Sequence, residues 1–113
     1  MWDQRPLFKG NLSKLIPIRR ATPSISDEKL RKITTYFPFE DHKYRLDPSY
    51  EPQARPANAA NEAIFADLQR YRGARLLIPD DEEHLYFAAI NSKSCSLTPL
   101  GRFYWRCVKA GTI

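Results

Sequence analysis

The chain has 113 residues, 42% hydrophobic and 27% charged, the profile of an ordinary globular protein with one modest core. Two cysteines are too few for a disulfide-stapled secreted scaffold, and no segment approaches the ~20 apolar residues of a membrane span. Eighteen Lys and Arg against 13 Asp and Glu leave a formal charge of +5, which favours anionic partners without naming one and also serves colloidal stability.

Residues 1–24 read as an extended, proline-rich basic arm. Isolated apolar residues (Trp2, Leu7, Phe8, Leu12) mix with Arg5, Lys9, Lys14, Arg19 and Arg20, and Pro6, Pro17 and Pro23 interrupt any period. KLIPIRR suits a short edge strand, where proline is tolerated. The arm lacks the continuous apolar run of a signal peptide, so the expected location is the cytoplasm, where both cysteines stay reduced.

Residues 25–113 are expected to form one compact domain. Its first helix spans 26–37: Ser26 is the N-cap, Asp27 and Glu28 suit the positive end of the dipole, and Ile25 with Leu30 makes a hydrophobic staple. Leu30, Ile33, Thr34 and Phe37 share a face, and Pro38 ends the helix. Segment 38–60 is irregular, with prolines at 38, 48, 52 and 56, and its Tyr44 and Tyr50 argue for packing on the core.

A second helix spans 61–72, capped by Asn58 or Asn61, with Ile64, Phe65, Leu68 and Tyr71 at helical spacing and Gly73 as its stop. Residues 76–79 and 84–90, two apolar runs around Asp80–Glu83, then read as a β-hairpin with four solvated acids at its tip. NSKSCS is a polar turn. The last helix spans 99–109: Thr98 caps it, Pro99 opens it, and Leu100, Phe103, Tyr104, Cys107 and Val108 form its apolar stripe. Phe65, Leu68, Leu77, Phe87, Leu100, Phe103 and Cys107 are the expected core.

The other side of that helix carries Arg102, Arg106 and Lys109, with Trp105 on its flank. The negative end of the helix dipole accounts for Arg106 and Lys109 but opposes Arg102 in the first turn. Cations around an aromatic suit a phosphate backbone and an unstacked base. Arg102, Trp105, Arg106 and Lys109, joined by Arg19 and Arg20 of the arm, are therefore the candidate binding residues.

Helix, hairpin and a closing helix opened by LTPLGR resemble the end of many winged-helix DNA-binding domains, in which a Leu-Thr-x-x-Gly turn starts the closing helix; Leu97, Thr98 and Gly101 occupy those places. The resemblance covers residues 61–111. It implies that the hairpin is the wing and that helix 61–72 would enter the major groove. The outer face of that helix sets Gln69 and Arg70 against Glu62, and the acids at the wing tip would repel phosphate.

His42, His84, Cys95 and Cys107 lack zinc-ligand spacing, no local group activates Cys95, and neither a P-loop nor a G-x-G-x-x-G occurs. The expectation is thus an α+β fold, with three helices on a small antiparallel sheet, winged-helix-like, and no catalysis, metal or cofactor. Its function is expected to be nucleic-acid (DNA) binding. The alternative is a protein-interaction module, an adaptor or inhibitor docking on a larger complex, since Trp and Arg are typical interface anchors.

Overall fold

A computed structural model describes residues 25–113. The expected arm, with Arg19 and Arg20, lies outside the described residues. The described chain is a small α+β domain whose helices pack around a three-stranded antiparallel sheet. None of its helices is long and apolar enough to cross a membrane.

Ser26 caps the first helix as expected: its Oγ accepts the Lys29 N–H at 3.2 Å, and Ile25 and Leu30 are both buried. The expected single helix 26–37 is two pieces, α1 (Asp27–Arg31) and α2 (Ile33–Tyr36). The chain tightens at Lys32, whose N–H bonds the Lys29 carbonyl three residues back, just before the β-branched run Ile33–Thr35. Leu30, Ile33 and Phe37 still reach the core.

The irregular segment contributes the edge strand β1 (Tyr44–Arg45), the buried Leu46 and a 3-10 turn at Pro48–Tyr50. Tyr44 packs edge-on against Tyr36 and Tyr50, the contact its aromatics foreshadowed. Helix α3 (Ala59–Gly73) starts two residues earlier than expected, because Asn58 rather than Asn61 is the cap: its Oδ1 accepts the Asn61 N–H at 3.0 Å. Phe65, Leu68 and Tyr71 point inward.

The expected hairpin is only half correct. β2 (Leu77–Pro79) pairs antiparallel not with 84–90 but with β3 (Ser94–Leu97), in the register Leu77↔Leu97, Ile78↔Ser96 and Pro79↔Cys95. The run LYFAAI is instead helix α4 (Leu85–Ile90), which buries Leu85, Ala88 and Ala89 at i, i+3 and i+4. A run apolar at every position carries no period to separate strand from helix, and its two alanines favour the helix.

NSKSCS, expected as a turn, supplies the central strand. β1 flanks β3 on its other side, so the strand order is β1-β3-β2. A serine-rich stretch can occupy that place because Asp80 receives its hydroxyls, Ser94 Oγ at 2.7 Å and Ser96 Oγ at 2.8 Å. Asp80 is therefore not a solvated tip residue.

The last helix, α5 (Pro99–Lys109), has the expected bounds and cap. Thr98 Oγ1 accepts the Gly101 N–H at 3.0 Å and donates to the Arg75 carbonyl at 2.7 Å. Its buried stripe is rotated relative to the expected one: Gly101, Tyr104 and Cys107 are inside, Phe103 and Val108 are half-buried, and Leu100 is 42% exposed. Gly101 seats its backbone against Leu76, which sets the rotation of the helix and swings Leu100 outward. Phe87, also expected in the core, is 41% exposed on the outer side of α4.

Candidate interaction groove on the last helix

Pro38 stops α2 and turns the chain so that Phe37 faces the core while Phe39 faces solvent. The Phe37 carbonyl points at α5 and accepts the Trp105 Nε1–H at 2.6 Å. That bond fixes the indole along the seam between the two segments, half-buried. One turn of chain later, Glu40 reaches Arg106, with Oε1 2.7 Å from Nη2. The hydrogen bond to Glu40, and then its charge, hold the Arg106 guanidinium even more firmly protonated than usual.

These contacts leave an open groove of about 530 Å³ lined by Phe39, Glu40 and Asp41 on one wall and by Arg102, Trp105 and Arg106 on the other. Phe39 is 66% exposed, the most exposed large apolar side chain among the described residues. Arg102 and Asp41 form no ion pair among the described residues, so each wall offers one unpaired charge of opposite sign. Lys109 stands outside the groove, its ammonium 5.9 Å from the centre of the Trp105 ring, a cation–π distance.

The candidate residues Arg102, Trp105, Arg106 and Lys109 therefore share the surface of α5, as their spacing implied. Phe39, Glu40 and Asp41 were missed. FPFED carries a weak signal, an aromatic and two acids straight after a helix-stopping proline, but nothing local says which helix it faces.

Among the described residues no group of three or more His, Cys, Asp or Glu is close enough to hold a metal ion. Cys95 and Cys107 are buried free thiols. Burial, followed by the nearby charge of Asp80, pushes Cys95 up to about 12, far from a reactive thiolate. Of the four acids at 80–83, Asp80 also has Lys43 Nζ at 3.6 Å, and Glu82 accepts a bond from Asn91 Nδ2 at 3.0 Å.

Comparison with protein-family models, with curated proteins and with solved structures finds no match for this chain.

Proposed function

We propose that this domain is a non-catalytic protein-interaction module, an adaptor or inhibitor that docks on a larger protein through the groove between residues 39–41 and α5. The observation that carries this reading is the mixed sign of the groove. Glu40 and Asp41 stand opposite Arg102 and Arg106, and Glu40 already neutralises Arg106. A phosphate backbone laid along α5 would meet those two carboxylates, whereas a protein surface can complement both signs. Exposed Phe39, pinned Trp105 and unpaired Arg102 are the residue types that anchor protein interfaces.

The fold reading is winged-helix-like, supported by α3, the β2–β3 pair and a closing helix opened by Leu97, Thr98 and Gly101. Helix α4 stands between β2 and β3, where a wing would be a loop. The exposed side of α3 offers Gln69 and Arg70 among Ala59, Glu62, Ala63 and Ala66, a sparse set for reading bases. A fold likeness of this kind carries no DNA function by itself. The buried reduced thiols suit a cytoplasmic protein.

The test is binding of random single- and double-stranded oligonucleotides at low and high salt, by wild type and by Arg102→Glu. Weak binding that is equal in both proteins is expected. Salt-sensitive binding that Arg102→Glu removes would restore the nucleic-acid reading, with α5 as its surface.

A further inference from the structure

Helix α4 is apolar on every side. Leu85, Ala88 and Ala89 face the core, while Tyr86, Phe87 and Ile90 face out, 45%, 41% and 36% exposed. The Tyr86 and Phe87 rings touch at 5.4 Å between centroids, and the His84 ring lies 5.9 Å from Phe87, so the outward residues form a patch rather than scattered points. The patch has an acidic rim. Asp81 and Glu83 are exposed, and the Glu82–Asn91 bond ties the acidic loop alongside the helix. Among the described residues, no Lys or Arg pairs with Asp81, Glu82 or Glu83; only His84 approaches Glu83, at 3.8 Å.

A matching occupant is present in the same chain. Of the 18 cations and 13 anions, residues 1–24 hold five and one, which leaves 13 against 12 in residues 25–113. The first 24 residues thus carry +4 of the +5 net charge, interleaved with Trp2, Leu7, Phe8 and Leu12. The α5 groove suits such a segment less well, because its two arginines balance its two carboxylates and leave no net attraction for cations.

We propose that residues 1–24 dock in cis on α4, their apolar side chains on Tyr86, Phe87 and Ile90 and their cations against Asp81, Glu82 and Glu83. The segment leaves the domain at Ile25, which is buried. Twenty-four extended residues reach up to about 80 Å, so every surface of the domain is within range. Being tethered, the segment meets α4 at high effective concentration and tolerates a modest intrinsic affinity.

Limited trypsin digestion of the full chain tests this directly, since Arg5, Lys9, Lys14, Arg19 and Arg20 are cleavage sites. Phe87→Asp and the pair Asp81→Asn/Glu83→Gln, neither of which adds a tryptic site, should each speed cleavage within 1–24 about tenfold, because cutting tracks the undocked population. The far-UV spectrum and cleavage within 25–113 should stay as in the wild type. In a Trp105→Phe background, Trp2 emission should be blue-shifted and should move red on Phe87→Asp. Equal cleavage rates in wild type and both variants would overturn the proposal. So would protection that appears only as protein concentration rises, which would assign the patch to a second copy.

Discussion

Gly101 lies so close to Leu76 that a Cβ built on it would stand 1.9 Å from the Leu76 carbonyl oxygen. The obstacle is backbone, and Thr98 N–H already bonds that same carbonyl at 3.0 Å, so neither partner can withdraw cheaply. Alanine is favoured over glycine in a helix interior by roughly 1 kcal/mol. Gly101→Ala should nevertheless destabilise, by about 1–3 kcal/mol or more, as α5 is pushed off the sheet. A urea midpoint unchanged or raised by this substitution would contradict the packing of α5.

Tyr104, absent from the expected core, should matter more to stability than Phe103, which was expected there. Tyr104 is 1% exposed, and Tyr104→Ala should cost about 3–5 kcal/mol. Phe103 is half-buried, and Phe103→Ala should cost about 1–2 kcal/mol, in proportion to the smaller area it hides. Thermal or urea unfolding of the two variants side by side decides the rotation of the helix.

Asp67 is a buried carboxylate on α3, 2.6 Å from the Tyr36 hydroxyl, with Lys29 Nζ at 2.9 Å and Lys32 Nζ at 4.0 Å. Burial alone would raise its pKa, but the Tyr36 and Lys29 hydrogen bonds and then the two ammonium charges outweigh it and hold the carboxyl below its usual range. A lowered folded pKa contributes stability that is full above the unfolded carboxylate pKa, about 4, and is lost as pH falls through the folded value. Asp67→Asn should flatten the acid limb of stability against pH and cost about 1–3 kcal/mol near neutrality, since both lysines keep access to water. An acid limb of unchanged slope would mean that the pair contributes nothing.

The helix starts were legible because a cap is a local device: Ser26, Asn58 and Thr98 each bond an N–H three residues on. The sheet was not, because its centre depends on a side chain far away in sequence. Ser94 and Ser96 look like turn residues until Asp80 is found beneath their hydroxyls. LYFAAI was misread for a different reason, since a run apolar on both faces has no period. The α5 wall of the groove was legible in the spacing of Arg102, Trp105 and Arg106. The other wall, Phe39–Asp41, comes from a non-periodic loop that only the tertiary fold sets against Trp105.

Burial raises the pKa of both cysteine thiols, with Cys107 partly offset by the Thr112 hydrogen bond. Near pH 8 in the native state both should resist alkylation and react at a rate that tracks unfolding, while reductant leaves the thermal midpoint in place. Fast native labelling of either thiol would contradict its burial.

The groove between Phe39 and Trp105 is proposed to take a protein surface. Its most direct measurement is capture of partners from a nuclease-treated lysate by the full chain and by Phe39→Ala/Arg102→Glu, both changes on exposed side chains that should cost about half a kcal/mol or less each. A protein should be retained after nuclease treatment, at high salt as at low, and lost with the double variant. Capture that nuclease abolishes, or that the double variant leaves intact, would contradict it.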